Sequence, residues 1–146
     1  MTDEKLLELQ KATIAEHMAR ENRQDIPGTM ATFGDRSDVF FDAVALNTVF
    51  TGRENVNSWY SALYSSFPDA KFDVKSETHV PGVSVLETEP NGTFTGAPFV
   101  GIKATGKRFR IRLAAFFTFD KRNGELIGER CYWDQGDLVR QVGDPS

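Results

Sequence analysis

The sequence predicts an α+β domain, with three helices first and a curved antiparallel sheet after them. Three observations carry that expectation. Leu7, Ile14 and Met18, and later Val56, Trp59, Tyr60, Leu63, Tyr64 and Phe67, recur at the spacing of helices that bury one face. Further along, the period changes to two. Phe109, Ile111, Leu113, Ala115, Phe117 and Phe119 share one parity, and Arg108, Arg110, Arg112 and Thr118 share the other. Asp120-Lys121-Arg122-Asn123-Gly124 then reverses the chain, because Asn-Gly tolerates the positive φ of a tight turn.

Taken in order, the first helix is expected over residues 2–23, with Ala12, Ala15 and Ala19 between its apolar positions. His17 and Glu21 lie one turn apart at the edge of its apolar stripe. Asp25 can cap a short helix from Pro27 to Phe33, since Pro is tolerated in a first turn. Residues 34–38 are turn material, and Val39-Phe40-Phe41 and Val49-Phe50 read as short strands. Thr51-Gly52-Arg53-Glu54 fits a capping box for the third helix, which Pro68 stops. Lys71 to His79 and Val83 to Glu89 read as extended, separated by Pro81-Gly82, and Pro90-Asn91-Gly92 is expected to break the line again. In the return run, Ile127, Glu129, Cys131 and Trp133 share the parity expected to face the core. A carboxylate and a thiol would then sit on an otherwise apolar face. A bent sheet over helices has a wide end that can stay open as a pocket. Its lining would come from the first helix, the Trp59–Tyr60 helix and the last two strands.

Residues 1–146 read as one domain, without repeat, low-complexity tract or linker. The net charge of -4 argues against nucleic acid or an anionic membrane as the partner. No apolar run approaches the roughly 20 residues of a membrane span. Met-Thr-Asp-Glu-Lys lacks the layout of a signal peptide, and the single Cys excludes an internal disulfide and any Cys-based zinc cluster. With two His in the chain, a His-rich metal site is not expected either. A cytoplasmic setting follows as the expectation.

Phe67-Pro68-Asp69, Gly92-Thr93-Phe94-Thr95-Gly96, Gly101-Ile102 with Thr105-Gly106-Lys107, and Tyr132-Trp133-Asp134 through Leu138, Arg140, Gln141 and Gly143 occur in that order. Together they resemble the SnoaL-like polyketide cyclases of the nuclear transport factor 2-like superfamily, from about Lys11 to Gly143. The resemblance implies a cone-shaped α+β barrel, its curved antiparallel or mixed sheet wrapped around three N-terminal helices. It also implies a homodimer, a small-molecule pocket and no cofactor. Founding members close a ring by intramolecular aldol chemistry, with an Asp as acid/base and a His nearby. In this chain the Asp is replaced by Cys131, and the His by Ala115, or by Phe116 if the hairpin gap is placed differently. Phe94 stands where relatives carry another His. The fold transfers and the aldol mechanism does not. Hydrolases, isomerases, dehydratases and non-catalytic binders share the superfamily, so fold alone does not choose among them.

His17, Glu21 and Glu129 are the candidate acid/base groups, and Trp59, Tyr60, Ala115, Phe117, Cys131 and Trp133 the candidate substrate-binding wall. Cys131 reads first as a small buried hydrophobe, because the neighbouring Glu129 would raise the pKa of its thiol. A core-facing Glu129 needs a partner or a wet cavity, unless a bulge turns it outward. His17 reads either as a helix-surface residue paired with Glu21 or as an imidazole over the pocket. The second reading expects His17 and Glu129 to point into one cavity, near enough to share a ligand or water. It also expects His17→Ala to leave the fold largely intact. His79, at a strand end, is expected to be exposed. Asp134 should accept backbone N–H bonds where the last strand ends, and the Arg-rich parity of residues 108–112 suits a solvated or dimer-facing surface. The leading functional expectation is a cofactor-free enzyme that moves protons on a small apolar metabolite, as isomerase, cyclase or hydrolase. The alternatives are a non-catalytic small-molecule-binding protein and a dimeric module with a closed core.

Overall fold

The computed structural model describes residues 1–143. Helix α1 (Asp3–Asn22) starts where the Thr2 hydroxyl accepts the N–H of Lys5. Its buried stripe is Leu6, Gln10, Ile14, His17, Met18 and Glu21, so half of it is polar and Leu7 lies at its edge. Gln10 is buried because it binds the β-hairpin beneath it. Its amide donates to the Val80 carbonyl and the Ser84 hydroxyl and accepts from the N–H of Gly82. The short α2 (Ile26–Ala31) is capped by Asp25, whose side chain accepts the N–H of Gly28.

Strands β1 (Phe40–Ala43) and β2 (Thr48–Thr51) form a hairpin around a 3-10 turn at Val44–Leu46. The expected capping box before α3 (Arg53–Ser66) does not form. Thr51 ends β2, and the N-cap is Gly52 at φ 83°, with no side-chain cap bond. The chain turns there too sharply for a residue with a side chain. The Arg53 guanidinium instead ties the helix start to the carbonyls of Met30 and Arg36.

Beyond Pro68 come β3 (Lys71–Val80), β4 (Val83–Thr93), β5 (Arg108–Arg110), β6 (Leu113–Phe119) and β7 (Leu126–Trp133). The strand order is β2-β1-β7-β6-β4-β3, with β5 also paired to β4. All pairings are antiparallel except β1 with β7, so the sheet is mixed and open, with β2 and β3 at its edges. Two expectations change here. Pro90 does not break β4. It sits where β4 passes from β6 to β5, so the N–H it lacks is not missed, while its carbonyl accepts from Ile111. The long alternating run is two strands, divided at Ile111 and Arg112, although its parity survives with Phe109, Ile111, Ala115, Phe117 and Phe119 buried.

A fourth helix, α4 (Gln135–Val142), follows the last strand and was not anticipated. Asp134 caps it by accepting the N–H of Asp137, the structural task expected of that residue. The motif residues act as pins around this end of the molecule. Asp69 accepts both the N–H and the hydroxyl of Thr93, at 2.7 Å each. Gly96 lies against the end of α3, where its N–H and that of Ala97 take the Ser66 and Ser65 carbonyls. Thr105 donates to the carbonyl of Val142 and holds α4 down.

Candidate active site

The inner face of the sheet is ordered in rows by its register. One row runs Ser84–Phe117–Glu129–Phe41, the next Leu86–Ala115–Cys131–Ala43, and the third Thr88–Leu113–Trp133. Helices α1 and α3 cover these rows and leave a cavity of about 70 Å³. Since roughly 15 Å³ holds one water, this is room for several waters or a small ring. Glu21, Trp59, Ala115, Phe117, Glu129, Cys131 and Trp133 line it. His17 and Tyr60 lie behind the two carboxylates, fully buried.

Four polar side chains therefore meet at the cavity floor. The Tyr60 hydroxyl donates to Glu129 Oε1 at 2.9 Å and lies 3.4 Å from His17 Nε2. That nitrogen is 3.8 Å from Glu21 Oε2 and 4.0 Å from Glu129 Oε1. The tautomer of His17 follows from its other side. Thr32 gives its own proton to the Thr29 carbonyl at 2.6 Å, so its oxygen must accept from His17 Nδ1 at 2.8 Å. Nε2 then carries a lone pair directed at the carboxylates. Three acceptors this close need a proton or another cation among them, and their atom types, within 4.8 Å of one another, would suit a small metal ion as well. Among the described residues neither carboxylate is paired with Lys or Arg.

Burial sets the protonation. It lowers the His17 imidazole to about 3, so the ring is neutral. Burial pushes Glu129 up to about 7, with the Tyr60 hydrogen bond opposing the rise. Glu21 is raised well above the carboxylate range by burial and by the charge of Glu129. Tyr60 and Cys131 are raised by the same two causes, so the phenol keeps its proton and Cys131 is a packed thiol.

The wider placement corrects two expectations. His17 is wedged edge-on between Phe33 at 5.7 Å and Phe117 at 5.3 Å, so His17→Ala would open a void in the core and not spare the fold. His79 is largely buried, because the tight hairpin brings it to 2.7 Å from the Ser84 hydroxyl. Thr32, which fixes the imidazole, carried no signal in the sequence. Thr88, which the sequence did not single out, and Leu138, read there only as a motif residue, join the wall.

An α+β fold with an open mixed sheet, not the closed barrel the resemblance implies, an apolar cavity and one buried cluster of His17, Glu21, Tyr60 and Glu129 is an enzyme-like scaffold. The family model of the SnoaL-like polyketide cyclases matches residues 10–142, and the chain belongs to that family. Among solved structures, a protein from Jannaschia sp. CCS1, provisionally described as a SnoaL-like polyketide cyclase, superposes with a TM-score of 0.84 at 16% identity, covering 97% of this chain and 96% of that one. AclR from Streptomyces galilaeus, provisionally described as a hydroxylase, gives 0.75 at 20% identity over 91% of this chain and 80% of that one. A protein from Catenulispora acidiphila DSM 44928 with a ketosteroid isomerase-like fold, in complex with trimethylamine, gives 0.74 at 16% identity over 91% and 93%. These likenesses establish the fold. No match was found among the curated proteins. Among the described residues no helix is long and apolar enough to cross a membrane.

Proposed function

We propose that the chain is a cofactor-free enzyme that moves a proton on a small, largely apolar carbonyl metabolite, with Glu129 as the proton carrier. The observation that supports this most is the Glu129 carboxylate itself. It faces an apolar cavity, is held by the Tyr60 hydroxyl, and is raised to about 7, where one group can both take and return a proton. Glu21 serves as its protonated neighbour, so a single negative charge resides on the pair. His17 works through position: its lone pair faces both carboxylates, and a ring that protonates only near 3 does not carry protons at neutral pH. Cys131 and Ala115, where the resemblance places the founding Asp and His, form wall, which fits proton transfer by Glu129 and not aldol closure by that pair. The same replacement supports the second reading, a protein that holds a ligand without turning it over.

Proton transfer has a minimal signature that needs no knowledge of the substrate. In D2O, the protein should speed deuterium uptake at the α-carbon of a small cyclic ketone such as cyclohexanone, read by proton NMR, and Glu129→Gln should not. Equal uptake with both proteins would favour the binding reading. For assembly, we propose a homodimer through the outer face of the sheet, where Tyr132 is 44% exposed beside Phe116 and Arg130. Light scattering should return twice the 16.3 kDa of one chain, and a monomer mass would remove the claim.

A further inference from the structure

Two polar atoms among the residues lining the cavity have no hydrogen-bond partner among the described residues, Nε1 of Trp59 and Oγ1 of Thr88. Trp59 is 6% and Thr88 4% exposed, so water does not complete either group from outside. Buried donors are nearly always paired, and two orphans on one cavity wall are most simply completed by what the cavity holds. Packing does not require the indole N–H. The Trp59 ring is fixed by stacking on Phe41 at 4.8 Å and on Trp133 at 6.3 Å. Trp133 stands in the same sheet row as Thr88, two rows from the row that holds Glu129. At roughly 3.3 Å per residue, that offset along β4 is about 13 Å. Thr88 therefore lies well along the sheet from the Glu129 row, and the Trp59 ring spans the interval, stacked on Phe41 of the Glu129 row and on Trp133 of the Thr88 row.

We propose that Trp59 and Thr88 form a second polar subsite, which takes a neutral oxygen acceptor of a small, mainly apolar ligand on the wall of the cavity, apart from the Glu129 carboxylate. An indole N–H can only donate, so its partner is an acceptor, and the Thr hydroxyl can donate to the same class of atom. Among the described residues no Lys or Arg lines the cavity, so the acceptor is a ketone, ester or ether oxygen and not a carboxylate. Trp59 is thereby a specificity residue. The inference rests on the small-molecule reading of the cavity and is independent of the proton-transfer step.

Calorimetric titration with acetophenone and its hydrocarbon counterpart isopropylbenzene tests it. The wild-type protein should bind the ketone on the order of tenfold more tightly, because the hydrocarbon leaves the indole N–H unpaired. Trp59→Phe should bring the two probes close to parity while still binding the hydrocarbon, and Glu129→Gln should keep the preference. Thr88→Val, a nearly isosteric change, should lower the preference should Trp59→Phe fold poorly. The wild-type Trp59 indole N–H resonance should also move downfield with the ketone and not with the hydrocarbon. Equal affinity for the two probes would overturn the subsite while leaving the cavity a ligand site. A preference that survives Trp59→Phe but is lost in Glu129→Gln would place the oxygen at the floor, and would equally overturn it. Binding of neither probe would remove the small-molecule reading and the subsite with it.

Discussion

The floor of the cavity and its rim are held by opposite means. At the rim, Asp69, Gly96 and Thr105 each hold at least one backbone group, of Thr93, Ser66 and Val142, and each belongs to a motif that carried the resemblance in the sequence. At the floor, His17, Glu21, Tyr60 and Glu129 hold one another through side chains alone, and none belongs to a motif. Backbone pins specify a shape whatever the chemistry inside it, which is why the motifs carry the fold. A side-chain network can be exchanged residue by residue without disturbing that shape. The resemblance therefore informs on architecture far more than on mechanism.

Glu129→Gln should break the contrast most sharply. It should lower any proton-transfer rate by about 10²–10⁴-fold, as loss of a general acid/base does, with the fold retained. Next come two substitutions that set rim against floor. A Cβ at Gly96 would lie 1.8 Å from the Ser65 carbonyl oxygen, so Gly96→Ala should destabilise by roughly 3 kcal/mol as α3 and the loop are forced apart. His17→Ala should cost about 2–4 kcal/mol for the void left between Phe33 and Phe117. Urea unfolding of both reads the comparison directly, and a near-neutral His17→Ala would mean the floor collapses to fill the gap.

The pH dependence of stability sharpens the same point, because it comes from the floor. Glu129 has a folded pKa raised to about 7 from 4.5, so its contribution is fully present below 4.5 and is lost as pH rises through 7. Glu21, raised further, extends that loss to higher pH. His17 has a folded pKa lowered to about 3 from 6.5, so its contribution is present above 6.5 and is lost as pH falls toward 3. Between 4.5 and 6.5 the imidazole offsets one of the two carboxylates, so stability already declines there. The decline continues to about pH 7 through Glu129 and beyond it through Glu21, a loss of a few kcal/mol by pH 8. Glu129→Gln should flatten that decline and be the more stable protein at pH 8. An unchanged pH profile in the variant would show that Glu129 is not the group responsible. The smallest effect belongs to Cys131→Ser, about 1 kcal/mol for a hydroxyl placed on an apolar wall, with slow labelling of the wild-type thiol.

The helices α1 and α3, the Asn123-Gly124 reversal and the inward parity of Glu129 and Cys131 were all legible in the sequence, because periodicity reports which face of an element turns inward. What periodicity omits is which inward groups meet. The sequence separates Tyr60 from Glu129 by 69 residues, and only the register of β7 beside β1 and β6, with α3 laid across them, brings the hydroxyl to 2.9 Å from the carboxylate. Of the polar half of the α1 stripe, His17 and Glu21 were legible at the stripe's edge, whereas Gln10 was hidden, since it looks solvent-facing until the β-hairpin arrives. Helix α4 and the unpaired atoms of Trp59 and Thr88 likewise exist only as consequences of packing. Local composition determined the elements and their inward faces. The tertiary structure alone decided the meetings that make a site, because a contact between distant segments depends on register and docking, which no local pattern encodes.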